Sequence, residues 1–196
     1  MASGAHESWT TARRARLDEL YAAHSAVGGT GPGRRTATEQ LNWALALRLA
    51  SEFQGYVRDL HDEATDVLVA RAHALTPSFE SVLRNLLTLN RQLETRNATS
   101  STLQQDFARF GFKILDDVRS RYIRGESWLR HLEQINLARN GIAHSDPVKI
   151  ATAAGKSALR LTHVKRWDSA VRALADALDR IAASRLAELT GGGSPW

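Results

Sequence analysis

The chain contains no cysteine. It therefore forms no disulfide, builds no thiolate metal site and offers no cysteine nucleophile. The absence fits a reducing compartment, and the expected location is the cytoplasm. No run of about 18 apolar residues occurs, so no membrane-spanning helix is expected. The opening stretch, MASGAHESWTTARRARLDEL, has no apolar core of the kind that marks a secretory signal. Asn97-Ala98-Thr99 spells a glycosylation sequon, which without secretion is a chance match. No convincing strand pattern is present. There is no His-Glu-x-x-His pair, and the remaining histidines are too scattered for a metal site. The glycine-rich run 28–33 lacks Gly-Lys-Ser/Thr and follows no strand, so it is not a phosphate loop. No metal and no cofactor is expected.

Lysine is scarce as well: 4 Lys against 22 Arg, with a net charge of +5 and a pI of about 10.1. Arginine forks match phosphate oxygens in geometry and charge. A basic balance points to an anionic partner, most often nucleic acid. A coding preference for arginine explains the same bias equally well. With 43% hydrophobic and 24% charged residues, 196 residues make one helical domain with an appended arm.

Helical periodicity runs through nearly the whole chain. It predicts a first helix from about 6 to 26, then the glycine-rich break. Residues 1–35 read as a helical arm and linker. Thr36-Ala37-Thr38-Glu39 is a capping box opening a long helix to about residue 74. Its apolar face is Leu41, Leu45, Leu49, Phe53, Val57, Leu60, Ala64 and Val67. Thr76-Pro77 starts the next helix, with Val82, Leu83, Leu86, Leu87 and Leu93 expected on its buried face. Residues 95–102 read as a loop. An aromatic-rich element follows from Phe107 to Leu115, broken at Gly111. A helix is predicted at about 126–143, then a connection over 145–162 with a brief extended piece at 159–161. The last helix spans about 163–189 with Thr162 as N-cap, ahead of a flexible tail over 190–196. The expected fold is all-α, a helical bundle.

One segment carries chemistry: Leu137-Ala138-Arg139-Asn140-Gly141-Ile142-Ala143-His144-Ser145-Asp146-Pro147. It sets an arginine, an asparagine and a histidine at the C-terminal end of a helix. Asn140 and His144 are four apart and share a face. Arg139 and His144 are about 140° apart on an ideal helix and meet only where the helix ends or distorts. A histidine moves protons near neutrality. An arginine holds a scissile phosphate and offsets transition-state charge. An asparagine orients either of them. The attacking group is then the RNA's own 2′-hydroxyl, and no protein nucleophile is needed.

This segment resembles the motif of the HEPN superfamily: Arg, four to six residues, then His, with a polar residue often following the Arg. Arg124 and His131 also meet the bare spacing. Only the segment 139–144 has the fuller pattern, Arg-Asn, then Ile-Ala before His, at a helix end. Glu39 to Trp43 through Phe53 to His61 is similar to the long first helix of the RiboL-PSP type of HEPN domain. Asp106 to Phe112 is also similar to that type, as are Leu161-Thr162, Trp167 and Leu178-Asp179. The resemblance covers roughly residues 36–182. It implies a HEPN bundle of four to six helices over 36–189, often a homodimer, with ribonuclease activity in many members. Such proteins serve in toxin–antitoxin, phage-defence and RNA-processing systems, and some are inactive binding modules. RNA is the implied substrate, and an antitoxin protein is a possible partner.

The resemblance makes Arg139, Asn140 and His144 the catalytic candidates. Glu52, an acid beside the apolar face of the long helix, joins them as the group that orients Arg139 or His144. Tyr56, one turn on, is a candidate substrate contact, with a buried core tyrosine as its alternative. Each of the other four has a plain reading too: His144 as a helix cap, Arg139 in an ion pair, Asn140 as a cap, and Glu52 at a solvent boundary. Arg124 and His131 read as a solvated face, Asp116 and Asp117 as surface acids, and Trp43 and Trp167 as core or interface. Three functions compete: a metal-independent endoribonuclease, a non-catalytic module for a protein or nucleotide, and a plain arginine-driven nucleic-acid binder.

Overall fold

The computed structural model describes residues 1–28, 35–72 and 76–196, with the backbone alone at 28, 35–37 and 77. The described residues form helices, with no strand among them. In chain order these are α1 (Gly4–Thr10), α2 (Ala12–Gly28), α3 (Arg35–Arg71), α4 (Pro77–Thr88), α5 (Gln92–Thr95) and α6 (Ser100–Phe107). After a 3-10 turn at Ala108–Phe110 come α7 (Ile114–Arg121), α8 (Gly125–Ala143), α9 (Pro147–Ala153) and α10 (Leu161–Thr190).

Helix α3 is 37 residues long, roughly 55 Å at the usual rise. Leu45, Leu49, Phe53, Val57, Leu60 and Ala64 recur every three or four positions, and none is more than 1% exposed. They face α10, where Val164, Trp167, Val171, Leu174, Leu178, Ile181 and Leu186 form the matching buried stripe. Helix α8 closes the third side with Leu129, Leu132, Ile135 and Ala138. The three long helices pack on one another as their periodicity predicts. The apolar seam of each is removed from water only by the other two.

The first 28 residues pack into the same core, with Ala5, Trp9 and Leu17 buried there. The expected single helix is two. Thr10 and Thr11 both turn their hydroxyls back onto Glu7 O, at 3.1 and 2.7 Å, and the chain leaves helical geometry at Thr11 (φ −114°, ψ −88°). The Glu63 carboxylate accepts the Gly4 and Ala5 N–H groups, each at 2.9 Å, and so caps α1 from α3. Residues 29–33 of the glycine-rich break and the side chains of Thr36 and Ala37 in the capping box lie outside the described residues.

Helix α4 departs from expectation. Thr76 caps it, its hydroxyl accepting the Phe79 N–H, but its apolar side is largely open. Phe79, Val82, Leu86 and Leu89 are 50–69% exposed, and only Leu87 is buried on α4 itself. Both faces of this short helix are apolar, and α3 covers just one. The stretch 95–102 is less of a loop than predicted, because Thr99 caps α6 with a 3.2 Å bond from the Thr102 N–H. The connection 145–162 contains α9. The extended piece is confined to the residues before Leu161: Arg160 is extended (φ −111°, ψ 160°) and, not Thr162, is the N-cap of α10, with the His163 Nδ1 accepting the Arg160 N–H at 3.0 Å. The aromatic element is buried as expected, and Gly111 makes its turn at φ 79°. No described helix is long and apolar enough to cross a membrane.

Candidate functional site

The segment 139–147 is first a helix terminus. Helix α8 closes with His144 as its C-cap and Ser145 in the left-handed region at φ 52°. The Asp146 N–H reaches Gly141 O at 2.7 Å and the Ser145 N–H reaches Ile142 O at 3.2 Å, the paired bonds of a Schellman turn. Asp146 then caps α9 through the Val148 and Lys149 N–H groups at 3.1 and 3.0 Å, with Pro147 in its first turn. Gly141 is required by packing. A Cβ there would stand 2.9 Å from both the backbone nitrogen and Cγ1 of Ile150. Half of the motif is thus the chemistry of turning α8 into α9.

The other half faces a cavity. Arg139 and Asn140 line a hollow of about 460 Å³ between α5, α6 and α8. Across from them stand Arg96 and Asn97, just past α5, with Ser101 and Gln105 of α6. A row of α8 side chains holds the opposite wall. The Glu133 carboxylate accepts the Ser100 N–H at 2.7 Å. Asn136 Nδ2 donates to Ala98 O at 2.9 Å, and Asn97 Nδ2 donates to Asn140 Oδ1 at 2.7 Å. From α3, Gln54 Nε2 donates to Arg96 O at 2.9 Å. The Asp106 carboxylate ties α5 to α6 by accepting the Gln92 and Leu93 N–H groups at 2.9 and 2.7 Å. The backbone around Arg96 is therefore fixed from three sides.

No carboxylate lines this hollow, and it contains two arginines. Neither the Arg139 nor the Arg96 guanidinium has a hydrogen-bond or ion-pair partner among the described residues. Glu94, two residues from Arg96, is turned away and paired with Arg91. Arg139 is half-buried and not in the ion pair that a surface arginine would seek. Asn140 serves the wall and the cavity together, since its Oδ1 is taken by Asn97 and its amide NH₂ is left over.

His144 is exposed and lies outside the cavity lining, one turn beyond Asn140 on the same helix face. Its backbone N–H bonds Asn140 O at 3.1 Å; its imidazole has no partner among the described residues. The capping role is thus a backbone one, and the ring is open to solvent.

Two sequence candidates stand elsewhere. Glu52 is buried, and its hydrogen bonds and ion pairs go to Arg13 (2.9 Å), Arg48 (2.8 Å) and Arg16 (3.4 Å), none to Arg139, Asn140 or His144. The expectation that it orients the site is corrected for a geometric reason. Gln54 points toward the cavity wall, and Glu52, two residues away, lies about 200° around α3 and meets α2 instead. Tyr56 is fully buried against Trp9 and Phe53, and its hydroxyl donates to Ala175 O at 2.8 Å. Burial pushes its phenol well above the ordinary range, with Asp179 adding to the effect. It is a core residue and touches no substrate.

Of the other residues, Arg124 is exposed at the start of α8 and His131 bonds Gln134 Oε1 at 2.8 Å. Trp167 is core. Asp116 is exposed, but Asp117 is not a surface acid: it is buried and accepts Arg185 at 2.8 and 2.6 Å. His61 is buried between Phe107 and Phe110. Burial, with the Arg91 charge, lowers its pKa to about 4, so it is neutral near pH 7.

Sequence reasoning missed Arg96 and Asn97, which it placed in a featureless loop. A signal existed. Residues 95–105 contain one charged residue, Arg96, among amides and hydroxyls, with no acid before Asp106. Compared with family models, with curated proteins and with solved structures, the chain matches none of them significantly.

Proposed function

We propose that the protein is a metal-independent endoribonuclease of the HEPN type, its HEPN bundle spanning residues 36–189 and its active site built on Arg139, Asn140 and His144. One observation carries the reading. The motif arginine, half-buried and without an ion pair among the described residues, lines a polar cavity with no carboxylate in its lining. A buried or half-buried cation left unpaired is costly unless a ligand neutralises it.

In the proposed reaction an RNA 2′-hydroxyl attacks the adjacent phosphorus. The 2′-oxygen gives up its proton and the bond from phosphorus to the 5′-oxygen breaks. The leaving oxygen takes a proton, and the products are a 2′,3′-cyclic phosphate and a 5′-hydroxyl. Arg139 holds the non-bridging oxygens as charge builds on them. The free amide NH₂ of Asn140 donates to the same phosphate. His144 moves the proton. The reading includes a cytoplasmic homodimer with two-fold related sites. It also includes a role in toxin–antitoxin, phage-defence or RNA-processing systems, with an antitoxin protein as possible partner.

The test is incubation of purified protein with mixed RNAs in EDTA, with mapping of the cut ends. Cyclic phosphate ends are expected, along with resistance of a substrate carrying a 2′-deoxy sugar at the cut site. His144→Ala should slow cleavage roughly 100-fold or more, the usual scale for a lost general acid or base. A folded His144→Ala variant that cuts at the wild-type rate overturns the assignment. The competing reading is a non-catalytic module for a protein partner or nucleotide. It is favoured by the open apolar stripe of α4 and by the position of His144 outside the cavity. That reading gives no cleavage with any RNA.

A further inference from the structure

We infer that Arg96 is a second phosphate-binding residue, and that the hollow between α5, α6 and α8 takes one nucleotide unit of an RNA strand between Arg96 and Arg139. The inference rests on the ribonuclease reading for its substrate class, and on the cavity alone for its chemistry.

The charge census is one-sided. Two guanidinium groups line the hollow, one from α8 and one from the segment just past α5, and the remaining lining side chains are neutral amides and hydroxyls. The nearest acids on the surrounding elements are engaged: Glu94 with Arg91, Glu133 with the Ser100 N–H, and Asp106 with the start of α5. A second hollow, about 630 Å³ between α2 and α10, shows what arginines do when acids are present. There Asp168 accepts Arg14 at 2.8 and 2.9 Å and Arg172 at 3.0 and 3.2 Å, and no guanidinium charge is left for a ligand. In the α5–α6–α8 hollow nothing among the described residues plays the part of Asp168, and the ligand is the natural source of the matching anion.

Size and lining narrow the class. A volume of about 460 Å³ is roughly fifteen times the share of one liquid water molecule, so a lone phosphate would leave most of it empty. The Asn97–Asn140 and Gln105–Ser101 bonds leave over the Asn140 NH₂, the Asn97 and Gln105 amide oxygens and the Ser101 O–H, donors and acceptors suited to base edges and sugar hydroxyls. A phosphate with its nucleoside fits both the charge and the remainder. Arg96 suits a binding role because its backbone is anchored at both sides, by Gln54 to its carbonyl and by its own N–H to Gln92 O at 2.8 Å, while its side chain is free.

The experiment is binding of a fluorescently labelled single-stranded oligonucleotide with 2′-deoxy sugars throughout, which is not cleaved, measured by anisotropy at several salt concentrations. The variants are Arg96→Ala, Arg96→Lys and Arg130→Ala. Arg130 is exposed on α8, nine residues before Arg139 and so on the opposite side of the helix. Arg96→Ala should weaken binding at least about tenfold and flatten the plot of log affinity against log salt by about 0.7, the loss of one phosphate contact on a single strand. Arg96→Lys should restore the salt slope and part of the affinity. Arg130→Ala should change neither. Unchanged binding in Arg96→Ala, or an equal loss in Arg130→Ala, overturns the inference. Failure of the ribonuclease reading looks different: no RNA is cut, yet the Arg96-dependent salt slope is still present.

Discussion

Two regions of this molecule are rich in arginine, and they use it in opposite ways. At the α1–α2 end, Arg13 lies across Gly55 and spans from Glu52 to Asp59, while Arg14 forks onto Asp168. A side chain at Gly55 would collide with the Arg13 guanidinium. Each of these arginines meets a carboxylate, and together they fasten the first helices to α3 and α10. In the α5–α6–α8 hollow, Arg96 and Arg139 meet none among the described residues. The difference teaches that an overall basic composition says little about a ligand. What counts is whether the fold delivers an acid to each guanidinium, because a cation matched inside the protein has no field left to offer a phosphate.

The sharpest way to break the comparison is to remove one member on each side. Arg139→Ala should lower RNA cleavage by roughly 100-fold or more, since phosphate contact and charge stabilisation go together, with little change in thermal unfolding. Glu52→Ala should do the reverse. It leaves Arg13 with Asp59 alone and takes the buried carboxylate from Arg16 and Arg48, and should cost about 3–5 kcal/mol, the range for breaking a buried pair. By calorimetry that is a drop of roughly 6–20 °C for a chain of this size. Cleavage per folded molecule should stay at the wild-type level, and a selective loss of cleavage in Glu52→Ala would return that residue to the site.

A further arginine, Arg91, sits between the extremes, paired with Asp62 and Glu94 yet pressed against His61. The folded His61 holds its proton only below about pH 4, against 6.5 for an ordinary histidine. Between those values the unfolded chain binds the extra proton and the folded one does not. Stability therefore rises with pH through this window and is lost as pH falls from about 6.5 to 4. The loss attributable to His61 is about 3 kcal/mol, from the shift at 1.36 kcal/mol per pH unit. Urea denaturation at pH 7, 5.5 and 4 measures it, and His61→Gln should flatten that part of the profile. A profile unchanged by His61→Gln counts against a neutral buried imidazole.

The smallest effect concerns the turn after the motif. Ser145 occupies the left-handed region where glycine is usual. Ser145→Gly should raise stability by about 0.5–1 kcal/mol, the strain relief exceeding the added freedom of the unfolded chain, and leave RNA cleavage unchanged. A fall in cleavage would show that Ser145 belongs to the site and not to the turn alone.

The helices were legible because their signals are local. The spacing of Leu45, Leu49 and Phe53 on α3 and of Val171, Leu174 and Leu178 on α10 needs no partner to be read, and neither does the cap at Thr76. The same locality explains the misreadings. The α4 residues Val82 and Leu86 are spaced like a core stripe, but burial depends on what lies opposite, and nothing described covers them. The chain leaves helical geometry at Thr11, a break that periodicity does not register. At the site, Arg139, Asn140 and His144 were found from a short segment because all three lie within six residues on one helix end. Glu52 and Tyr56 were placed by analogy with an apolar face, and a turn of about 200° on α3 was enough to send Glu52 to another neighbour.

The sequence by itself determined the all-helical class, the three long helices and their buried faces, the absence of thiol chemistry, and the end of α8 ahead of Pro147. All of these follow from interactions within a few residues of one another or from composition. Only the tertiary structure decided which arginines are matched and which are free. Arg13 finds its acids 39 and 46 residues away, Arg14 finds Asp168 at a separation of 154, and Asn97 meets Asn140 across 43 residues. Electrostatic pairing depends on distance in space, and a linear pattern carries no information about which charges the packing of α3, α8 and α10 brings within reach.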